Sequence, residues 1–538
     1  MPRNSTAWVA PIVVLLSVSG LTPAQDALPE ELRTVAEKSG FKATARHAEV
    51  VRLCEALAKS SPLIRLAELG RSVEGRSIPL MIVADPPVST PAEARASGKL
   101  VVFLFGNIHA GEVDGKEGLP ILVREIVRAP EHPLLDHLIL AVAPIYNADG
   151  NERVAKDNRP GQVGPEEGMG RRTNAEGLDL NRDFMKLEAP ESRALVRFLN
   201  DWDPSLVIDT HTTNGSHHRY TITYDGPKNP AGDARLIRFS RERLFPEVTA
   251  SLEKASGYRS FFYGNFEDDH TRWTSFPGNP RFGTTYIGLR NRLSVLSEAY
   301  SYATYKDRVL ATRDFCRAIL EFVSSHRDEI RTLLDDARRS TIEAGRDPSD
   351  RVAIRSKARA LPEKATVLGF VERREGDRSV STGEPRDYPC AIEIDFAPEL
   401  EVARPFAYLV PPGSVKAIDI LRAHGIAVET LEAPAKLDVE VSRVDESSRA
   451  RRPFEGHNLL DITRTTTTRA TREVPAGTIL VRTAQPLGSL AVTLLEPRSD
   501  DGLATWNVFD DELARSPDRE FPVLRLPGRA EIATRPFP

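Results

Sequence analysis

Cysteine is scarce in this chain: Cys54, Cys316 and Cys390 are few, odd in number and far apart. That spacing excludes a disulfide framework and a thiolate metal cluster, so each is expected to be a buried thiol acting as a small apolar side chain. A single long-range bridge stays open in an oxidising compartment. Charge of one sign never accumulates. The 77 acidic and 72 basic residues are mixed along the chain, with a net charge of −5. No basic block is there to track a phosphate backbone, which excludes nucleic acid as a partner. Beyond the N-terminal stretch no apolar run is long enough to cross a bilayer, so stable membrane insertion is not expected. Internal repeats and low-complexity tracts are also missing.

What is present is a globular composition. With 538 residues, 40% hydrophobic and 28% charged, the chain is too long for one ordinary core and is expected to hold at least two domains. The first residues, MPRNSTAWVAPIVVLLSVSGLTPAQDA, carry one arginine, an apolar stretch from Trp8 to Val18 and small residues ending near Ala24. This is the pattern of a secretory signal peptide over residues 1–24, and it predicts a protein that is secreted or periplasmic.

Residues 28–325 are expected to form an α/β domain, with a mixed, mostly parallel sheet and helices on both faces. Leu100 to Phe105 and Leu138 to Tyr146 are apolar runs that read as doubly buried strands. Ile64 to Gly70 and Ile78 to Ala84 flank the turn GRSVEGRS as a hairpin. Helices are predicted over Leu119 to Val127, Pro190 to Asn200 and Tyr305 to Ser324, and surface loops over Val154 to Glu176 and Tyr258 to Leu289. Leu206 to Thr210 reads as a strand delivering His211 at its end, and Leu293 to Ser297 as one ending in Glu298. The charged stretch 326–360 reads as a helical connector. Residues 361–538 shift to short β segments separated by proline and glycine, a β-rich C-terminal accessory domain with a helix from Val415 to His424 between two strands.

Gly106 and Asn107 break the first of the buried strands, and His109 and Glu112 follow at the edge where open α/β sheets bind ligands. An imidazole and a carboxylate three positions apart converge on one cation from a single turn of chain. They leave room for a third ligand and for water, as catalytic zinc requires. His211, from a distant strand end, is the candidate third ligand; a zinc ion so held lowers the pKa of water toward about 7 and polarises a carbonyl oxygen. A polar surface turn is the alternative for the first pair, and a structural imidazole for His211.

HAGE at 109–112, RTNAEGLDLNR at 172–182, IDTHT at 208–212 and LSE at 296–298 together resemble, in order and approximate spacing, the zinc carboxypeptidases of the funnelin type. GRSVEGRS resembles the hairpin before their first ligand. The resemblance covers about Glu30 to Ser324. It implies one zinc ion (Zn2+) per chain, held by His109, Glu112 and His211, with Asp179 orienting the first histidine. It also implies that Asn181 and Arg182 grip a substrate's terminal carboxylate, that Arg172 stabilises the oxyanion, and that Glu298 is general base and acid. Tyr286 is the nearest candidate for a tyrosine closing over substrate. Gly111 stands where digestive members carry an arginine, so that subsite contact is expected to be absent. Arg290 and Arg292 lie near enough in sequence to favour an acidic side chain. The implied activity is that of a zinc metallocarboxypeptidase acting on peptides or proteins with a free C-terminal carboxylate. Two alternatives stay open: a peptidase of cell-wall peptides with γ-linked glutamate and a diamino acid, and a non-catalytic peptide-binding use of the fold.

Overall fold

The apolar run after Lys99 forms a strand with water on neither face. In the computed structural model, which describes Met1 and residues 28–537 apart from positions 130, 132, 268 and 377, this strand lies inside an eight-stranded sheet. The expected signal peptide lies, but for Met1, outside the described residues. Ten strands precede residue 301: β1 (Ile64–Arg71), β2 (Ser77–Val83), β3 (Leu100–Gly106), β4 (Leu138–Ala143), β5 (Leu206–Thr213), β6 (Ile222–Asp225), β7 (Ser260–Phe262), β8 (Asn265–Glu267), β9 (Arg272–Thr274) and β10 (Leu293–Tyr300). The large sheet has the order β1-β2-β4-β3-β5-β10-β6-β7. Its centre, β4, β3, β5 and β10, is parallel, and β2 and β6 are antiparallel to their inner neighbours.

Alternation along β3 divides the interior into two layers. Phe103 and Phe105 face a core with Leu195 and Ile287, from helices Pro190–Trp202 and Gly283–Leu289. Val102 and Leu104 face the other side, with Leu119 and Phe315 of helices Asp114–Arg128 and Tyr305–Ser325. From β3 the chain crosses to β4 on one side, and later returns to β5 on the other. That reversal opens a crevice at the carboxyl ends of β3 and β5, where sheets of this kind bind ligands.

Three local expectations change. β5 and β10 run on past His211 and Glu298, so both residues sit within the ladder, directly paired. Tyr258 to Leu289 is not a plain loop, since it holds β7, β8 and β9 and helix Gly283–Leu289. The stretch 326–360 is helical only over Arg327–Ala344 and then becomes β11 (Arg351–Arg359). Val352, Ala353 and Ile354 are buried there, an apolar run too short to stand out from the surrounding charge.

The C-terminal part is β-rich and shares structure with what precedes it. β12 (Ala365–Glu375) and β13 (Arg378–Glu393) form a hairpin, β13 pairs in parallel with β9, and β14 (Asp395–Ala403) pairs with β11. A seven-stranded sheet follows, made of β15 (Ala407–Val410), β16 (Glu429–Leu431), β17 (Ala435–Arg449), β18 (Leu460–Val474), β19 (Ile479–Arg482), β20 (Leu524–Leu526) and β21 (Thr534–Pro536). Helix Val415–Ala423 links β15 to β16, and both strands are antiparallel to β19 between them. One apolar core runs from Phe105, Leu195 and Tyr286 into Tyr408, Val481 and Trp506. Cys54, Cys316 and Cys390 are free and buried.

Candidate active site

The turn after β3 is shaped by two asparagines. Asn107 adopts a left-handed φ of 67°, which asparagine tolerates better than most residues, and its amide donates to the Ala110 carbonyl at 3.1 Å. The Asn147 amide donates to the Ile108 carbonyl at 3.2 Å. Held this way, His109 and Glu112 face His211 of β5. His109 Nδ1 lies 3.1 Å from Glu112 Oε1, His211 Nδ1 lies 2.9 Å from Glu112 Oε2, and the two Nδ1 atoms are 3.2 Å apart.

The donor set fits a metal ion. His109 Nε2 lies 3.0 Å from Asp179 Oδ1 and His211 Nε2 lies 2.7 Å from Asp209 Oδ2. With the His109 ring N–H directed to Asp179 and the Asp209 carboxylate beside His211 Nε2, the two Nδ1 atoms converge beside the Glu112 carboxylate, where their lone pairs can meet a cation. Burial disfavours charge on His211, but Asp209 and Glu112 outweigh it and raise its pKa well above the ordinary value. Two nitrogens and a carboxylate with an open side make the set for catalytic zinc.

Around this point the structure assembles eight of the nine residues singled out in the sequence. Burial works to raise the Asp179 carboxyl, yet His109, Arg172 and Arg182 hold it well below the ordinary range. Arg172 Nε donates to Asp179 Oδ2 at 2.9 Å, and Arg172 Nη1 lies 3.6 Å from Glu112 Oε1. Asn181 Oδ1 accepts from the Gly283 N–H at 2.9 Å, and the Arg182 guanidinium lies 4.4 Å from the Phe282 ring centre. Glu298 opens into the same cleft, and its buried Oε2 has no protein partner among the described residues.

Tyr286 is the exception and is corrected here. It is fully buried in the core, where its hydroxyl donates to His424 Nδ1 at 2.8 Å, and it does not line the cleft. Tyr263, which does line it, had no sequence signal, because it reaches the site from the turn after β7. Arg290 and Arg292 are also elsewhere: Arg290 donates to Asn200 Oδ1 at 2.7 Å and Arg292 to Asp203 Oδ1 at 2.9 Å. Apart from Arg159, the rest of the lining, including Phe276, Phe282, Thr284 and Leu296, carries no charge.

Sequence reading also missed Arg159. It enters from the long loop after Val154 and donates to Glu112 Oε1 at 2.8 Å and to the Thr212 carbonyl. A Cβ at Gly111 would come within 2.6 Å of Arg159 Cδ, so glycine there makes room for a guanidinium supplied from another part of the chain. The contact expected to be lost at Gly111 therefore has a neighbour that the sequence could not announce.

Residues 50–276, less than half of this chain, match the zinc carboxypeptidase family. The site is that of a zinc metallocarboxypeptidase, with the His109, Glu112 and His211 set intact. The chain is similar to Carboxypeptidase 2 of Trichophyton rubrum, 25% identical over 494 residues that cover 87% of this chain and 84% of that one. A match of that length extends well beyond the motifs noted above. Carboxypeptidase D of Mus musculus is 34% identical over 228 residues, 37% of this chain and 16% of that protein. Among solved structures, a metallo-carboxypeptidase from Burkholderia cenocepacia shares 19% identity over 52% of this chain and 68% of its own, with a TM-score of 0.38.

Asp179→Asn is expected to weaken zinc binding about ten- to a hundredfold, because it removes the carboxylate that orients His109. Competition against a chromophoric chelator measures this, and an unchanged affinity would contradict the role.

Proposed function

We propose that the protein is a secreted exopeptidase that releases the last residue of peptides bearing a free C-terminal carboxylate. The observation that carries the reading is that the metal set, Glu298 and the Asn181 and Arg182 pair open into one cleft. Zinc held by His109, Glu112 and His211 would supply Lewis acidity, lowering the pKa of water and polarising a carbonyl. Glu298 takes the proton of the attacking water and returns it to the leaving amine. Arg172 faces the oxygen that gains charge, while Arg182 forks onto the terminal carboxylate beside the Asn181 amide. The uncharged lining at Phe276, Phe282, Thr284 and Leu296 favours a neutral leaving residue. Secretion is supported by the N-terminal apolar stretch, and among the described residues no helix is long and apolar enough to cross a membrane.

The test is digestion of a mixed peptide library by the mature protein, read by mass spectrometry, with zinc or with a chelator. Loss of single C-terminal residues from free acids, absent from C-terminal amides and abolished by chelation, is the expected result. Cleavage confined to γ-linked cell-wall peptides would replace the substrate class, and binding without any cleavage would replace catalysis.

A further inference from the structure

We propose that the C-terminal part of the chain sets the geometry of the carboxylate-binding pair, through Asp501 and Glu455 as positioning residues. The inference rests on the reading of Asn181 and Arg182 as the grip on the substrate's terminal carboxylate.

Two separate contacts carry it. The first runs through residues 281–283, three consecutive positions of which Phe282 lines the cleft. Asp501 is fully buried and collects three donors from Arg281: the backbone N–H at 3.0 Å, Nε at 2.7 Å and Nη2 at 2.6 Å. The Arg281 guanidinium also lies 5.3 Å from the Phe454 ring centre and 5.0 Å from that of Trp506. The next residue, Phe282, carries Arg182 over its ring, and the one after, Gly283, gives its N–H to Asn181 Oδ1. That bond fixes which end of the Asn181 amide is used by the protein, and its Nδ2 has no protein partner among the described residues. Glycine at 283 lets this backbone come close to the core, because a Cβ there would lie 2.7 Å from the Phe184 ring.

The second contact holds the pair from the other side. Glu455 Oε2 accepts the Asp179 N–H at 2.8 Å, and Asp179 Oδ1 in turn accepts the Asn181 N–H at 2.9 Å. Glu455 has a left-handed φ of 50°, a conformation that a non-glycine residue keeps only when its surroundings impose it. They do so through paired backbone bonds between Phe454 and His457, at 2.8 and 3.0 Å, and through His457, whose Nε2 lies 3.0 Å from Glu188. Asn181 and Arg182 are thus fixed on both sides by carboxylates more than 270 residues further along the chain. Domain adhesion needs only apolar contact. Directional, charged bonds that end on Asp179 and Arg281, within three positions of the pair or of the residues touching it, are suited to placing it, and a bidentate pair tolerates little misplacement.

The experiment uses the full-length protein with Asp501→Asn and Glu455→Gln, each made alone and in an Arg182→Met background. The readouts are kcat and KM on a free-acid peptide, zinc content and thermal midpoint. Either single variant is expected to raise KM about tenfold with kcat and zinc content near wild type, the signature of lost binding common to ground and transition states. In the Arg182→Met background the same changes should move KM by a clearly smaller factor, because the part of the effect that reaches Arg182, through Phe282 and Asp179, is already removed. Glu455→Gln, at a half-buried site, keeps the test decisive if Asp501→Asn does not fold. Unchanged KM in both single variants of an active enzyme would overturn the proposal, as would a loss of the same size in the Arg182→Met background. A wild type that cleaves no free acid, or an Arg182→Met variant with unchanged KM, would instead overturn the reading of the pair on which it stands.

Discussion

Glu298→Gln should lower kcat by about a hundred- to ten-thousand-fold, the range for removal of a general base and acid, with zinc content and fold retained. Glutamine keeps the shape of the side chain and cannot take the proton. Stability should not suffer, since Glu298 Oε2 has no protein partner among the described residues to lose. Burial, opposed by His211 and reinforced by Glu112, pushes the carboxyl up to about 8, and a bound dication draws it down from there. Only the carboxylate accepts a proton, so kcat/KM of the wild type should rise with pH through this ionisation and flatten as it completes. The Gln variant should lose that limb. Single-turnover rates across pH, with zinc measured on the same samples, decide the matter. A variant that keeps more than about a tenth of wild-type kcat would place the base elsewhere.

Arg308→Met should cost about 3–5 kcal/mol, the usual penalty for breaking a buried ion pair from one side. Arg308 and Asp114 are both fully buried, with Nε 3.0 Å from Asp114 Oδ2. The Arg308 guanidinium also donates to the carbonyls of Val163 at 2.7 Å, Ala303 at 2.9 Å, and Ser301 and Gly164 at 3.2 Å. Asp114 accepts the Thr212 hydroxyl, and the Thr212 N–H donates to Glu112 Oε2 at 2.9 Å. Methionine would strand a buried carboxylate, which Thr212 ties to the strand presenting His211, and would take a donor from four carbonyls, of which Ser301 keeps the Val163 N–H. The shift of the urea midpoint, with m unchanged, measures the loss. Adding Asp114→Asn should recover part of it, because the unpaired charge is the larger share of the cost. Wild-type stability in the single variant would show that water reaches the pocket and solvates Asp114.

What could be read in advance followed from local signals. β3 and β4 are uninterrupted apolar runs, and the helix over Pro190–Trp202 carries proline in its first turn. His109, Glu112, Asp179, Asn181 and Arg182 lie in short motifs whose spacing survives folding. The failures have a common cause in tertiary placement. Tyr286 had a suitable position before Glu298, but its helix turns the ring into the core toward His424. Arg159 lies in a loop with no periodicity, so nothing local marks it as a neighbour of Glu112. Asp501 and Glu455 reach the site across the length of the chain, and an isolated aspartate or glutamate carries no sign of its destination.

The pairing of His211 with Glu298 on adjacent parallel strands has an evolutionary reading. Their separation is set by the spacing of neighbouring strands, about 4.8 Å, a dimension common to all sheets. Reactivity is thereby written into a central ladder of the large sheet. The groups that meet the rest of a substrate, from Tyr263 to Phe282, are carried by segments outside that ladder. Selection can revise what is recognised there by exchanging loop residues, without disturbing the distance on which hydrolysis depends.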